Sequence, residues 1–227
     1  MKSLMGLSRS GGVQKAVWTW IFDLDNTLHN AGVHVFPQIN RAMTRYLQVH
    51  LNVDEATANA LRQKYWRRYG ATLEGLIRHH RIDPEHFLRE THQFPDLSKV
   101  LVSEPQLHAT LQCLPGRKFV FSNAPVHYAE AVIRALGIRD LFSAVYAIEN
   151  TGYRPKPDSY GFLKLCRSYR LKPQRCIMVE DNLDNLKMAK RLGMKAFWVR
   201  GAARGQTPGY VDRTIFRLAH LAGPLGP

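Results

Sequence analysis

The sequence predicts an α/β protein whose core is a doubly wound, Rossmann-like parallel sheet carrying an inserted block of helices. Short apolar runs with little polar interruption recur along the chain, as expected for strands covered on both faces of a parallel sheet. Amphipathic patterns with helical spacing separate most of these runs. The stretch between the first and second runs, residues 29–110, contains helical patterns and no strand pattern.

Five apolar runs are predicted strands: residues 16–22, 118–121, 142–148, 176–179 and 196–199. Each of them leads into polar or charged residues. Open α/β sheets bind their ligands at the carboxyl ends of the strands. We therefore expect the polar residues that follow the strands to converge on one crevice.

Apolar residues at helical spacing predict the helices. Two helices follow strands in the second half of the chain, and each ends at a glycine that can stop it. Their stripes are Ala129, Val132, Ile133 and Leu136 before Gly137, and Leu183, Leu186, Ala189 and Leu192 before Gly193. Three more are predicted inside residues 29–110, through Ile39, Met43, Tyr46 and Leu47, through Ala58, Leu61 and Tyr65, and through Leu73, Leu76 and Ile77.

These patterns divide the chain into three parts. Residues 1–15 are predicted to be a disordered leader. Residues 16–28 and 111–227 form the α/β core domain, and residues 29–110 form a helical cap domain. Placed over the carboxyl edge of the sheet, such a cap would act as a lid.

Composition narrows the class of protein. The chain has 227 residues, of which 45% are hydrophobic, and this content excludes a disordered or collagen-like chain. Its formal net charge of +14 attracts anions, whether nucleic acid, an acidic membrane surface or a small phosphorylated substrate. Basic residues stand at most in short runs such as Arg67-Arg68, so we favour a small phosphorylated substrate and do not expect nucleic-acid binding.

The cysteines and the apolar runs indicate the compartment. Cys113, Cys166 and Cys176 are an odd, sparse set without a CxxC pair, which fits a reducing environment. No apolar run reaches the roughly 18 residues of a membrane span. We expect a cytoplasmic protein that does not insert in a membrane and is a monomer or a homodimer.

The first predicted strand ends at two carboxylates, Asp23 and Asp25. Two residues apart, they can point to the same side of the chain. Their repulsion would keep one protonated unless a divalent cation lies between them. Because Mg²⁺ takes oxygen ligands, one or two carboxylates and phosphate oxygens among them, this pair predicts a site for Mg²⁺ and phosphate.

The other strand ends supply complementary groups. Ser122 and Asn123 offer a hydroxyl and a backbone N–H for phosphate oxygens, and Lys156, between two prolines, offers a fixed positive charge. Glu180 and Asp181 add two carboxylates. Singly, these groups could be helix caps or surface turn residues, but four such segments in sequence order predict one site.

These motifs resemble those of the haloacid dehalogenase-like (HAD) hydrolases. The segments DLDNT, FSN, RPKP and VEDNLDN are similar to the four motifs of that superfamily, over residues 17 to 200, and the helical insertion lies where the superfamily places a small cap. The segments DLDNTLH, YGATLxGL and VEDNLDNLKMAKRLGM are most similar to the pyrimidine 5′-nucleotidase branch.

The resemblance implies roles for residues of this chain. Asp23 would be the nucleophile that forms an aspartyl-phosphate, and Asp25 the acid that protonates the leaving oxygen and then activates water. Dehalogenases of the superfamily lack this second aspartate. Thr27 would stabilise the loop that carries the two aspartates.

Ser122 and Lys156 would hold phosphate oxygens. Asp181, the Asp23 carboxylate and the Asp25 carbonyl would bind Mg²⁺, with Glu180 holding a metal-bound water. Either Asp184 or Asn185 would be a further residue that assists this site.

The cap is expected to select the substrate. Tyr69, Thr72, His79 and His92 are polar or aromatic residues that could contact a base or ribose, although such side chains on helices more often pack or cap. Tyr69 and Thr72 rank first because the nucleotidase resemblance runs through them.

The predicted function is therefore a Mg²⁺-dependent phosphatase of nucleoside monophosphates such as UMP and CMP. Three alternatives stay open at this point: a phosphatase of phosphoglycolate or a sugar phosphate, a phosphorylated signalling receiver, and a nucleic-acid-binding protein. The inserted helices and the second aspartate argue against the receiver.

Overall fold

The predicted fold class is confirmed by the structure, a computed structural model that describes residues 17–201 and 205–222. Six parallel strands form one sheet in the order β3-β2-β1-β4-β5-β6. They are β1 (Thr19–Phe22), β2 (Lys118–Phe121), β3 (Ala144–Tyr146), β4 (Cys176–Glu180), β5 (Lys195–Val199) and β6 (Arg213–Ile215). The order reverses direction beside β1, which places the loop after β1 at the centre of the carboxyl edge.

Every residue of β2 and β4 is buried, as their mainly apolar sequences predict, and this includes Lys118 and Glu180 at their ends. Alternate side chains enter two separate clusters. Phe22 and Val120 lie in one, and Ile21 and Phe121 lie in the other. The sheet is therefore packed on both faces, and the loops at the carboxyl ends of its strands are the place where a site can form.

Five helices lie between β1 and β2: α1 (Ala31–Leu51), α2 (Glu55–Tyr69), α3 (Thr72–His80), α4 (Pro84–Thr91) and α5 (Leu107–Cys113). They have a hydrophobic cluster of their own, which includes Leu47, Tyr65, Leu76 and Phe87. The first turns of α1 and the whole of α5 pack instead with the sheet, through residues such as Val35 and Leu111.

Three further helices complete the layers around the sheet: α6 (Val126–Ala135), α7 (Ser159–Ser168) and α8 (Leu183–Arg191). Asp158 and Asn182 cap the amino ends of α7 and α8 by accepting hydrogen bonds from backbone N–H groups. Both helices therefore begin immediately after segments that carry predicted site residues.

The structure corrects several details. The first strand is shorter than residues 16–22, and the third spans three residues rather than seven. The sequence analysis missed β6, whose residues Arg213–Ile215 carry no apolar run because the strand lies at the sheet edge. It also missed the three helices α4, α5 and α7, which have 8, 7 and 10 residues.

Some expectations cannot be compared with the structure. The predicted leader, residues 1–15, lies outside the described residues. Within the described ranges, no helix has both the length and the apolar composition that crossing a membrane requires.

Candidate active site

The predicted site residues of the α/β core come together at the carboxyl edge of the sheet. Asp23 directly follows β1 and continues its pairing, since its backbone N–H donates to the Val179 carbonyl at 2.9 Å. Ser122 directly follows β2, where its N–H donates to the Tyr146 carbonyl at 3.0 Å. Glu180 ends β4. The sheet register therefore sets the positions of these three backbones.

Lys156 is the centre of the charged cluster. Its ammonium donates to Asp23 Oδ1 at 2.7 Å, to Glu180 Oε2 at 2.7 Å and to the Phe121 carbonyl at 2.8 Å. An ammonium has three protons to donate, so all of them are engaged. Both ion pairs are buried, so removal of one partner would leave an uncompensated charge in the interior.

Asn123 holds the backbone of Lys156 in place. Its Oδ1 accepts from the Lys156 N–H at 2.7 Å, and its Nδ2 donates to the Lys156 carbonyl at 3.1 Å. The Asn123 side chain is thus engaged with the neighbouring loop, whereas the predicted contact of this segment with phosphate was through a backbone N–H. The Asn123 amide orients the lysine, together with the prolines on either side of it.

Burial and mutual repulsion alter the ionisation of the acids. Burial, with the nearby Glu180 charge, raises the pKa of Asp23 to about 7, although Lys156 opposes the shift. Burial and the charges of Asp23 and Glu180 raise the pKa of Asp181 to about 9. Burial alone would lower the pKa of Lys156, but Asp23 and Glu180 together hold it above its usual value.

The acids have the donor set and spacing of a site for a hard divalent cation. Asp23, Glu180 and Asp181 each offer a carboxylate oxygen, and these oxygens lie within 4.8 Å of one another. A bound cation would offset the repulsion that raises the pKa values of Asp23 and Asp181. Oxygen ligands at this spacing fit Mg²⁺.

Glu180 is fully engaged with protein donors. Oε1 accepts from the N–H groups of Asp181 and Asn182, at 3.2 Å and 3.1 Å, and Oε2 accepts from Lys156 and from Asn185 Nδ2 at 3.0 Å. A carboxylate has about four acceptor positions, so in this arrangement Glu180 anchors Lys156 and the loop after β4.

The structure distinguishes between Asp184 and Asn185, the two residues of the fourth motif that were candidates for assisting the site. Asn185 is buried and contacts Glu180, whereas Asp184 is exposed on the outer side of the α8 amino terminus. Asn185 is therefore the residue that reaches the site.

Asp25 lies beside two residues that the sequence analysis did not select. Its Oδ1 accepts from the Tyr128 hydroxyl at 2.7 Å and lies 3.0 Å from His29 Nε2. His29 was part of the quoted motif DLDNTLH, so its proximity to Asp25 was available as a signal. Tyr128, 103 residues away on α6, gave no such signal.

The two predicted hydroxyl residues of the core are both buried. Ser122 Oγ accepts from the Ala124 N–H at 3.0 Å, which leaves its own proton to donate. Among the described residues, Thr27 Oγ1 has no hydrogen-bond partner.

The predicted substrate contacts on the helices are only partly free. Thr72 donates its hydroxyl proton to the Arg62 carbonyl at 3.1 Å, and the Tyr69 hydroxyl lies 2.7 Å from Nε2 of the exposed His79. His92 is buried, and burial lowers its pKa to about 4, which keeps it neutral. The structure therefore commits the hydroxyl of Thr72 to its own helical region.

Tyr69 does line a cavity of about 330 Å³. Arg78 lies beside it, and the opposite wall is the segment Arg154–Pro157, without Lys156 itself. Glu74 pairs with Arg78, and Asp158 pairs with Arg154, so the two guanidinium charges are already compensated.

Comparison with known proteins identifies a family model and a relative that match this chain. The family model of the haloacid dehalogenase-like hydrolases matches residues 19–193. Phosphate metabolism protein 8 of Saccharomyces cerevisiae is 25% identical over an alignment of 193 residues that covers 77% of this chain and 59% of that protein. This chain thus spans about three fifths of the length of that relative.

Two solved structures show the same fold. CbbY from Rhodobacter sphaeroides, in complex with xylulose-(1,5)bisphosphate, has a TM-score of 0.66 at 19% identity and covers 89% of this chain and 95% of its own. The HAD-hydrolase YfnB from Bacillus subtilis, bound to magnesium, has a TM-score of 0.59 at 17% identity, covering 91% and 97%. With the family model spanning most of the sheet and every motif at its edge, the chain belongs to the haloacid dehalogenase-like hydrolases.

Proposed function

We propose that the protein is a Mg²⁺-dependent phosphatase that hydrolyses pyrimidine nucleoside monophosphates through an aspartyl-phosphate. The observation that carries this proposal is the pair Asp23 and Asp25 at the end of the central strand. Asp23 is in contact with Lys156, and Asp25 has a separate set of partners. Two acids in different environments fit two different roles.

In the first half-reaction, a carboxylate oxygen of Asp23 attacks phosphorus and forms the acyl-phosphate bond. The bond from phosphorus to the leaving oxygen breaks, and Asp25 gives that oxygen a proton. In the second, Asp25 accepts a proton from water, whose oxygen attacks phosphorus and releases phosphate and the Asp23 carboxylate. A phosphate oxygen replaces Asp23 Oδ1 as an acceptor of the Lys156 ammonium, and Ser122 donates to another phosphate oxygen. Both residues stabilise the negative charge during transfer.

Asp23, Asp181 and the backbone carbonyl of Asp25 would hold Mg²⁺, and Glu180, which accepts four hydrogen bonds from the protein, would anchor Lys156 and the loop of Asp181 next to the ion. When bound, the ion supplies positive charge that offsets the charge of the phosphoryl group. The grouping of the Asp23 and Asp181 oxygens supports this assignment, as does the magnesium bound to the structurally similar YfnB.

The substrate class is proposed from the motifs and the helices, whereas the chemistry is proposed from the charged residues at the sheet. The motif resemblance favours pyrimidine nucleotides, and the relative named for phosphate metabolism agrees with a phosphatase. Tyr69, which faces the cavity, is our candidate for contact with the base; Thr72 and His92 stay predictions. Sugar phosphates are the second candidate, because CbbY binds a sugar bisphosphate.

Phosphate release tests the proposal. The panel contains nucleoside monophosphates of all bases, phosphoglycolate and sugar phosphates, each assayed with Mg²⁺ and with a chelator. We expect fastest release from UMP and CMP, and loss of activity with the chelator. Activity that is indifferent to chelation would contradict the metal-assisted mechanism.

Other outcomes separate the alternatives. A preference for phosphoglycolate, sugar phosphates or purine nucleotides would overturn the substrate class alone. A slow turnover that leaves the protein phosphorylated would favour a signalling receiver. Strongly salt-dependent binding to nucleic acid without phosphate release would favour the third alternative. The cytoplasmic location and the monomeric or dimeric state stay predictions.

A further inference from the structure

Asp25 Oδ1 is in contact with Tyr128 and His29, two side chains from different segments of the sequence. Tyr128 donates its hydroxyl proton to Asp25 Oδ1 at 2.7 Å, and His29 Nε2 lies 3.0 Å from the same oxygen. The Tyr128 hydroxyl and His29 Nε2 are themselves 3.4 Å apart. Three side chains thus meet at one carboxylate oxygen.

The Tyr128 side chain is fixed in this position. It is 1% exposed, and its ring packs at 5.8 Å from the ring of His92 and 5.6 Å from that of Phe94. Both rings belong to the segment that follows α4. Because packing prevents the ring from turning away, its hydroxyl presents a fixed donor to Asp25.

His29 is equally confined. It is 3% exposed, and among the described residues its Nδ1 has no hydrogen-bond partner. The side-chain contact of this ring is therefore made at Nε2, towards Asp25 and Tyr128. The backbones of Asp25 and His29 also form an isolated bridge, so the loop itself keeps the two residues together.

The consequence concerns which oxygen of Asp25 can act as the acid. In the part of the chain that the structure describes, the hydrogen bonds to this carboxyl fall on Oδ1. Tyr128 donates to one lone pair of Oδ1, and His29 donates to the other when its proton is on Nε2, the tautomer that leaves no unpaired N–H at the buried Nδ1. Oδ1 then has no lone pair for a further proton. The proton that passes to a leaving group must therefore be carried on Oδ2.

We propose that Tyr128 is a positioning residue, which with His29 orients the Asp25 carboxyl so that Oδ2 carries the proton towards the leaving oxygen. This inference rests on the proposed function, in which Asp25 is the general acid. Losing the donor would let the carboxyl rotate, and the proton would point correctly in only a fraction of encounters.

The test replaces Tyr128 with phenylalanine, which keeps the ring between His92 and Phe94 and removes the hydroxyl alone. Each preparation is assayed with p-nitrophenyl phosphate and with UMP. The departing p-nitrophenolate needs little protonation, whereas a nucleoside alkoxide needs it strongly. The quantity compared is the ratio of the two kcat/KM values, which does not depend on the fraction of folded enzyme.

For Tyr128→Phe we expect kcat/KM for UMP to fall about 10- to 100-fold, part of the 10²–10⁴-fold that a general acid supplies. With p-nitrophenyl phosphate the fall should stay within about threefold. The matched control is Tyr46→Phe, which removes a buried hydroxyl that contacts His86 at 2.9 Å in the helical cluster. It should leave the ratio unchanged.

Asp25→Asn separates failure of the inference from failure of the proposed function. If Asp25 is the acid, this variant loses far more activity with UMP than with p-nitrophenyl phosphate, and adding Tyr128→Phe to it costs little more. An Asp25→Asn variant without this selectivity would overturn the role of Asp25, and the inference with it.

If Asp25→Asn is selective but Tyr128→Phe is not, the proposed function stands and the inference is wrong. Equal losses of Tyr128→Phe with both substrates, or additive losses in the double variant, would have the same meaning, because they indicate a structural role for the hydroxyl.

Discussion

Two groups of polar side chains in this molecule differ in the charge that they bury. At the sheet edge, Lys156 joins Asp23 and Glu180, which lie 133 and 24 residues away in the chain. In the helices between β1 and β2, tyrosine hydroxyls pair with histidines 10 to 40 residues away, as Tyr69–His79, Tyr65–His80 and Tyr46–His86.

The difference lies in what each group loses when one member is removed. The edge cluster holds full charges in a buried place, so loss of one leaves another without compensation. The tyrosine–histidine pairs are hydrogen bonds of the helical region, and water can replace many of them. We therefore expect large, coupled effects at the edge and small, separate ones in the helices.

The largest expected effect is that of Asp23→Asn. Losing the nucleophile should lower kcat by about 10⁴-fold or more. Since burial already raises the pKa of Asp23 to about 7, the neutral amide should leave the fold intact. Phosphate release and circular dichroism check the two statements, and retained turnover would contradict the assignment of Asp23.

Next is Lys156→Met, which leaves two buried carboxylates facing each other. We expect loss of activity and a fall of about 3–5 kcal/mol in the free energy of unfolding, measured with urea. Adding Asp23→Asn should restore part of this stability. The matched control is Lys190→Met, which breaks the more exposed pair with Asp212 and should cost less than about 1 kcal/mol. Similar decreases in the free energy of unfolding of the two variants would mean that the buried ion pairs are no more important for stability than the more exposed one.

Metal removal gives a pH-dependent effect. The folded protein raises the pKa of Asp23 to about 7 and of Asp181 to about 9, from 3.8. It therefore holds protons that the unfolded chain releases, so in a chelator the melting temperature should fall as the pH rises from 5 to 9. The expected fall is about 5–10 °C, and Mg²⁺ should reverse it.

The variant Asp181→Asn supplies the control for this titration. Its melting temperature should depend less on pH in the chelator and respond less to Mg²⁺. An unchanged slope would show that other groups produce the effect.

The smallest effect belongs to the helices. Tyr65→Phe removes a hydrogen bond of 2.7 Å to His80 and should lower the free energy of unfolding by about 0.5–1.5 kcal/mol in urea. The ratio kcat/KM for UMP should not change. A clear loss of activity would mean that the helical pairs are coupled to the site.

The fold and the charged residues of the site could be predicted from the sequence for the same reason. Parallel strands buried on both faces leave unbroken apolar runs, so each run marks both a strand and the point where it ends. Asp23, Ser122 and Glu180 follow or end such runs and lie where that rule puts them. The edge strand β6 escaped because an edge strand needs no such run.

Contacts between side chains could not be obtained in this way. Whether Asn123 faces a substrate or Lys156, and whether Asp184 or Asn185 turns inward, depends on the path of loops and on helix rotation. On helices, every polar residue of a stripe has several neighbours in space, and the sequence does not say which of them takes its hydrogen bond. Thr72 illustrates this, because its hydroxyl is bound to the Arg62 carbonyl.

The order of residues along the chain thus determined the sheet, the acids at its centre and the lysine that faces them, because backbone hydrogen bonding aligns the ends of parallel strands. Only the tertiary structure decided the distant partner of Asp25, which is Tyr128. Tyr128 reaches Asp25 from 103 residues away because α6 packs in the same hydrophobic cluster as Phe22 of β1, and packing of that kind depends on the whole molecule.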